Sequence, residues 1–519
     1  MWDKMKTKII PLIGDPFENL YQLGLRERDA FLNIEERVTK LLSTNPVLQF
    51  SQDVISRARM KLRKKDESFF ESSIASYSEG LGIDPARYFS FLSLLELAAH
   101  SGQVFPELKG LLPGCTSVLE KKDNEITHTR LIDFPLIGLF DTNPRLYYWQ
   151  SEGKEAVLSY SCEGLAPLFF QGIHGSGVSF ALHHKPGKSW HKDGQSAFQI
   201  AFETIMDGNN FNDFKRELKR QVSMTKWNFL LLDKSGQVLS LDIDGPAQNF
   251  ESFNLNDTSQ LIFTNIPLQQ DSDDFRNFIH FSEARQNWTK DKLNKNKNAH
   301  ILDLLTDIKD QKIRGWKHPA ATLATVGAWH VNLSKGFIDL KEGEGALTSS
   351  DLLLRIDLRK PQEAEILKAE TPKDEFEISW KRASFAQSAF DRGEYDLAYH
   401  ELQMALALMP HQVWKDIFSF YLYLWDFKFI GNNKELSLVY RKVKELNVPD
   451  TLKDQWLMFI MRLEKKLDLS PTVNFQNVSP HLQKLFQQER LAGKPLFATW
   501  MKLIYPRMEI LDVFSPHHK

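Results

Sequence analysis

Apolar residues recur at three- and four-residue spacing from about Arg26 to His100, in stretches such as FLNIEERVTKLL and ARYFSFLSLLELAAH. That period is one face of an α-helix, and the Asp84-Pro85 pair before the second stretch is a helix start. From Thr116 the texture changes. Short runs such as ITHTRLIDF, AVLSYSCEG, GVSFALHH, KWNFLLLDKSGQVLSLDIDG and QLIFTNIP are divided by Gly, Asp and Asn, which predicts strands joined by turns. Helical stretches, AFQIAFETIM and FNDFKRELKRQV, lie between them. A further helical stretch, Asp274 to Asp310, precedes the strand set ATLATVGAWHVNL, KGFIDLK and DLLLRIDL. Strand pairs alternating with helix pairs predict stacked sheets covered by helices, an α+β class, and not a repeating parallel βαβ unit.

Around Lys360 to Glu377 the chain reads KPQEAEILKAETPKDEFE, charged and proline-containing, so 361–377 is expected to be a linker. Everything beyond it is helical in pattern. Ala386, Gly393, Tyr395, Ala398, Leu402, Ala405 and Pro410 follow the small/aromatic/small spacing of a tetratricopeptide-type hairpin, in which small residues let two helices close. One such unit is visible, so residues 378–519 are read either as a peptide-binding repeat or as an ordinary helical bundle. Because an isolated repeat cannot bury its faces, the tail is expected to pack on the rest of the chain or on itself.

Composition narrows the function classes. With 519 residues, 42% apolar and 25% charged, the chain is an ordinary globular protein of two or three domains. A formal net charge of −2 gives no global pull toward nucleic acid, and the basic runs Lys61 to Lys65 and Lys290 to Lys297 are short and interrupted. No stretch approaches the ~18 consecutive apolar residues of a spanning helix. The N-terminal run is cut by Pro11 and Gly14, unlike a signal peptide, so a cytoplasmic protein is expected. Two cysteines, Cys115 and Cys162, argue against a disulfide framework and exclude an all-cysteine zinc site.

Familiar catalytic motifs are missing: there is no G-x-S-x-G, no H-E-x-x-H and no phosphate loop. His183, His184 and His191 cluster without a metal spacing, GIHGSG (172–177) reads as a turn, and neither a metal nor a cofactor is expected. Cys115 stands apart. It follows Pro113-Gly114, where a turn can expose the preceding carbonyl, and it opens the β-rich segment. It is either a buried structural cysteine beside a surface Arg130–Asp133 charge pair, or a nucleophile. A thiol there could attack the Gly114 carbonyl and shift the acyl group from nitrogen to sulfur. Hydrolysis would leave Cys115 as a chain start whose α-amine, of pKa ~7.7–8.0, can take the thiol proton.

These residues resemble the cysteine N-terminal-nucleophile hydrolases, the family of acid ceramidase, N-acylethanolamine acid amidase and isopenicillin N acyltransferase, with penicillin V acylase and bile salt hydrolase more remote. A Gly-Cys-Thr-Ser start followed by R-N-x-D-[FYW] is similar to Gly114-Cys115-Thr116-Ser117 and Arg130-Leu131-Ile132-Asp133-Phe134, with Leu131 in place of Asn. PLIGDPFENLYQLG resembles the early glycine motif, keeping Gly14, Pro16, Glu18 and Gly24 but carrying Leu20 for the middle glycine. SIASYSEGLGIDPARYFSFLSLLEL resembles the helical pro-segment, and GIHGSGVSFAL a G-x-N-x-x-G element with His174 for Asn. KWNFLLLDKSGQVLSLDIDG resembles a hairpin with a carboxylate near Asp242 or Asp244, FTNIP the element carrying Asn265, and SEARQ that carrying Arg285.

The resemblance implies a four-layer αββα sandwich. It also implies autocleavage between Gly114 and Cys115, and hydrolysis or transfer of an acyl group held in a small linear amide. Residues 1–114 would be the helical pro-segment, 115–360 the catalytic domain and 378–519 the helical tail. Cys115 would be the nucleophile, Asp133 would hold its α-amine, and Arg130 would orient Asp133 and favour the thiolate. Asn265 would donate to the oxyanion, and His174, His183, His184 and Arg285 are candidates for oxyanion or substrate contact. A reading from another class is an inactive scaffold of the same fold whose tail binds a protein partner or a second copy.

Overall fold

The computed structural model describes residues 7–42, 68–104, 114–134, 143–185, 193–268, 282–296, 298–312, 319–361, 364–430 and 433–445, with isolated positions elsewhere. Part of the Asp274 to Asp310 stretch and most of the tail beyond 445 therefore lie outside the described residues.

The first element is a strand. Segment 1–114, read as a helical pro-segment with its helical period from about Arg26, opens with β1 (Lys8–Ile13), which pairs in parallel with β4 (Pro144–Gln150) at the edge of a sheet. KIIPLI is a short apolar run, and Pro11, lacking an N–H, is tolerated in an edge strand. The helices follow. In α1 (Pro16–Leu42) Asp15 caps the start, its Oδ1 accepting from the Phe17 and Glu18 amides at 2.8 and 2.9 Å. A Ser68–Glu71 capping box starts α2 (Phe69–Leu81), and Gly82 ends it at φ 69°. Next comes α3 (Pro85–Val104).

Two sheets form the centre. The first holds eight strands in the order β1, β4, β5 (Val157–Cys162), β6 (Gln171–His174), β7 (Val178–His184), β8 (Trp227–Asp233), β9 (Gln237–Asp244) and β10 (Ala247–Asn254). The second holds seven in the order β11 (Gln260–Phe263), β2 (Gly114–Lys122), β3 (Glu125–Asp133), β12 (Thr325–Asn332), β13 (Phe337–Glu342), β14 (Leu352–Asp357) and β15 (Ala364–Lys368). Strand alternation sorts their side chains into layers. On β8, Phe229 and Leu231 join a core under helices, while Leu230 and Leu232 join a core shared by the two sheets. That shared core also takes Leu119, Ile126, Trp329 and Val331 from the second sheet.

Outside the first sheet lie α1, α2, α3, α4 (Ala197–Asp207) and α5 (Phe211–Leu218), packed through residues such as Phe31, Tyr77, Phe202 and Phe214. Outside the second lie α6 (Ser282–Lys295) and α7 (Ile301–Leu305), in a core that includes Val118, Leu131 and Ala328. The order is helix, sheet, sheet, helix. Among the described residues no helix is long and apolar enough to cross a membrane.

The stretch read as a linker is in part structured. Ala364–Lys368 form β15, paired with β14, because Ile366 and Leu367 complete the sheet edge among the charges. Asp374 then caps α8 (Glu375–Asp391) by accepting from the Glu377 amide. Helix α9 (Tyr395–Leu408) follows after Gly393 at φ 78°, and Ala386, Ala398, Leu402 and Ala405 are buried. Together with α10 (Gln412–Ile430) these helices share one core with the outer face of the second sheet. A last described helix is α11 (Asn433–Glu445).

Candidate active site

The β2–β3 hairpin sets the site. Asp123 and Asn124 take φ of 50° and 64°, the left-handed pair a two-residue hairpin turn requires. This turn pairs Lys122 with Glu125, and hence Ser117 with Arg130, Cys115 with Ile132 and Gly114 with Asp133. Odd positions of β2 and even positions of β3 then face the other sheet, so Cys115, Ser117, His128 and Arg130 share one inner face. Gly114, expected in a turn, is instead the first residue of β2 and is buried.

Arg130 is fully buried. Its Nη1 donates to the Phe170 carbonyl at 2.8 Å, and its Nη2 donates to the Leu182 carbonyl and to Cys115 Sγ, the latter at 3.0 Å. Two carbonyls, one just before β6 and one near the end of β7, thus fix a guanidinium on the sulfur. Beside it, Ser117 Oγ lies 2.9 Å from His183 Nε2 and 3.1 Å from His128 Nε2, and His128 Nδ1 lies 2.7 Å from Ser179 Oγ. Burial, with Arg130 next, pushes His128 down to about 3 and drives His183 well below its ordinary value. Both imidazoles are therefore neutral hydrogen-bonding groups.

Asp133 points to the opposite face of β3, three residues from Arg130. Its Oδ2 accepts from Arg285 Nη1 at 2.7 Å and its Oδ1 from Thr325 Oγ1 at 2.5 Å. Arg285, on α6, also donates from Nη2 to the Cys115 carbonyl at 3.2 Å and to Asn265 Oδ1 at 2.7 Å. Asn265 Oδ1 accepts from the Cys115 amide at 3.0 Å, while its Nδ2 donates to the His184 carbonyl at 2.8 Å. The sulfur, the amide nitrogen and the carbonyl oxygen of Cys115 each have a side-chain partner.

Cys115, Arg130, Asp133, Asn265 and Arg285 therefore meet, but with changed contacts. Arg130 does not orient Asp133, since positions 130 and 133 of a strand face opposite ways; Arg285 and Thr325 do. Asn265 turns its Oδ1 to the Cys115 amide, and one of its two Nδ2 hydrogens is donated to the His184 carbonyl. His183 borders the site through Ser117, and His184 supplies a carbonyl. His174 is elsewhere. It pairs with Val178 at the start of β7, about 16 Å from His183 along the strand at ~3.3 Å per residue. There its Nδ1 accepts from the Ser176 amide and its ring packs on Phe214; burial, then Lys154, lowers its pKa to about 4. Of the two candidate carboxylates, Asp242 is buried on the inner face, whereas Asp244 lies beside His191 at 3.6 Å. Thr325, His128 and Lys185 carry no motif of their own, and only tertiary pairing brings them here; Ser117 lies in the Gly-Cys-Thr-Ser stretch, but its histidine partners are not legible from it.

The chain matches no protein-family model and no curated protein. Among solved structures it is similar to an N-acylethanolamine-hydrolyzing acid amidase ortholog of Caenorhabditis elegans, with 13% identity and a TM-score of 0.32 over 42% of this chain and 93% of that one. It is similar to penicillin V acylase from Agrobacterium tumefaciens, with 12% identity and a TM-score of 0.34 over 47% of this chain and 86% of that one. A conjugated bile acid hydrolase from Clostridium perfringens shows 12% identity and a TM-score of 0.32 over 49% of this chain and 96% of that one.

Proposed function

We propose that this chain is a cysteine amidohydrolase or acyltransferase that first cuts its own Gly114–Cys115 bond. Cys115 then acts on a small N-acylated amide. The observation that carries the reading is the Arg130 guanidinium 3.0 Å from Cys115 Sγ, in a residue whose amide and carbonyl are also held. That contact sets a fixed positive charge against the sulfur that is to attack. The sequence Gly114-Cys115-Thr116-Ser117 with Arg130 and Asp133 supports the same reading.

In the first step the sulfur attacks the Gly114 carbonyl carbon. The C–N bond breaks, the proton from the thiol goes to the departing nitrogen, and a thioester joins Gly114 to Cys115. Water adds to the thioester, releasing the Gly114 carboxylate and restoring the thiol. The freed nitrogen is the α-amine of Cys115, an internal base of ordinary pKa ~7.7–8.0. Asn265 Oδ1, which accepts from this nitrogen as an amide, goes on accepting from it as an amine. Each later turnover repeats the chemistry on substrate. The sulfur takes the acyl group, the amine half leaves with a proton from the α-ammonium, and water or a second amine accepts the acyl group. On this reading residues 1–114 become one chain and 115–360 carry the catalysis.

Intact mass spectrometry after incubation at neutral pH tests this directly. Two fragments are expected, one ending at Gly114 and one beginning at Cys115, with Cys115→Ala remaining whole and inactive. A wild-type chain that stays uncut and shows no Cys115-dependent amidase activity would overturn the proposal and leave a non-catalytic scaffold.

A further inference from the structure

Lys185 follows β7 directly, and its side chain is buried to 1% exposure. Its Nζ donates to the Thr264 carbonyl at 2.6 Å and to the Ile266 carbonyl at 2.7 Å, one on each side of Asn265. The residue before it, His184, accepts from the Asn265 side chain. The segment 264–268 is tied at further points: Thr264 Oγ1 donates to the Ser282 carbonyl at 3.0 Å, and the Leu268 amide donates to Asp242 Oδ2 at 2.7 Å. Asp242 is in turn held by Asn228 Nδ2 at 2.9 Å.

Two neutral carbonyls do not neutralise an ammonium, and burying one is costly even with the Asp242 carboxylate near it. Closing a loop alone does not call for that charge, since an apolar side chain of similar length would fill the space. What the ammonium adds is direction: two carbonyls pulled toward one point fix the peptide plane before Asn265 and the one after Ile266, so the backbone that carries the Asn265 side chain is held at both ends. We infer that Lys185 is a positioning residue, whose grip on the Thr264 and Ile266 carbonyls aims the Asn265 carboxamide at the Cys115 nitrogen. The inference rests on the proposed self-cleavage and names a part of that same site.

Burial lowers the pKa of Lys185 to about 8, while Asp242 and Cys115 raise it and Lys226 and Arg285 lower it further. These groups face it from β9, β2, the segment before β8, and α6. The clamp therefore loosens as the ammonium is lost above about 8.

The test compares the rate of Gly114–Cys115 scission, by intact mass, in the wild type, Lys185→Met and Lys185→Arg, with thermal unfolding in parallel. Methionine is expected to slow scission about a hundredfold, the scale of a small misplacement of a reacting group. Arginine, which keeps its charge, is expected to restore most of the rate. The wild-type to Lys185→Arg rate ratio should fall as pH rises from about 7 to about 9.5, because guanidinium does not titrate there. A purely structural lysine would not move that ratio. If the wild type cuts and Lys185→Met cuts equally fast, or if the ratio is flat with pH, the role of Lys185 is overturned while the cleavage stands. A wild type that does not cut overturns the cleavage itself. Should Lys185→Met fail to fold, the pH dependence of Lys185→Arg decides alone.

Discussion

Asp133 and Arg285 are removed from water together, at 0% and 1% exposure, so each charge depends on the other. The 2.7 Å contact is the anchor from which Arg285 reaches the Cys115 carbonyl and Asn265. Arg285→Met would leave the Asp133 carboxylate buried with the Thr325 hydroxyl. Removing one partner of a buried pair costs roughly 3–5 kcal/mol. Urea unfolding should show that loss, and the double variant Arg285→Met/Asp133→Leu should recover part of it, since a hydrophobic pair of similar size carries no desolvated charge. No recovery would mean that Arg285 matters chiefly to Cys115 and Asn265. In the sequence, Cys115, Arg130 and Asp133 could be singled out because one hairpin carries all of them. Their partners could not be assigned. Arg285 is 152 residues from Asp133, and nothing local tells which of two nearby arginines faces the carboxylate. The alternation rule does separate positions 130 and 133 once the strand is known to run through both. Lys185 was invisible for another reason, since a lysine after a strand ordinarily reads as a solvated end.

At the scale of elements, α1 and α2 cross at glycines on both sides. A Cβ on Gly24 would stand 2.3 Å from the Tyr77 carbonyl oxygen, and one on Gly80 would stand 2.1 Å from that of Tyr21. These obstacles are backbone, so they cannot rotate away, and the helices must separate. Gly80→Ala should therefore destabilise the fold by about 1–3 kcal/mol despite the better helix propensity of alanine. A higher melting temperature for Gly80→Ala would show that the two helices separate at no cost. Gly24 stood out in the sequence as one glycine of a motif, but its reason, a helix packed against it some fifty residues later, is tertiary. Long periodic helices and alternating strands such as β7 to β9 were legible, because period and turn residues agree there. β1 and β15 were not. Each is a short run among charged or proline-bearing neighbours, and each becomes a strand only because a sheet edge is there to receive it.

Over the whole molecule, the described residues among the first hundred are built into the first sheet, not laid upon it. Beyond β1, they insert two carboxylates. Glu27 accepts from Tyr77 Oη at 2.6 Å, the Gly164 amide at 3.0 Å and Tyr147 Oη at 3.1 Å. Glu96 accepts from the Ala197 amide at 2.7 Å, Trp227 Nε1 at 2.9 Å, Ser196 Oγ at 3.2 Å and Thr225 Oγ1. Cleavage before Cys115 would leave all of these contacts in place, so the two fragments should elute together on gel filtration without denaturant. Burial raises both carboxyls above their ordinary 4.5, against the pull of their hydrogen bonds. A carboxyl whose folded pKa is raised stabilises most below its unfolded value, and that contribution is lost as pH climbs through the folded value. Asp339, Asp303 and Glu125 are shifted downward and act in the opposite sense, so the wild-type profile alone is not diagnostic. The difference between wild type and Glu96→Gln isolates the term. Relative to the variant, the wild type should lose melting temperature as pH rises above the ordinary 4.5 and through the raised folded value. A constant difference over that range would mean that Glu96 titrates in the folded chain as it does in the unfolded one. The hydrogen bonds at Glu96 would then offset the whole cost of burying its carboxylate.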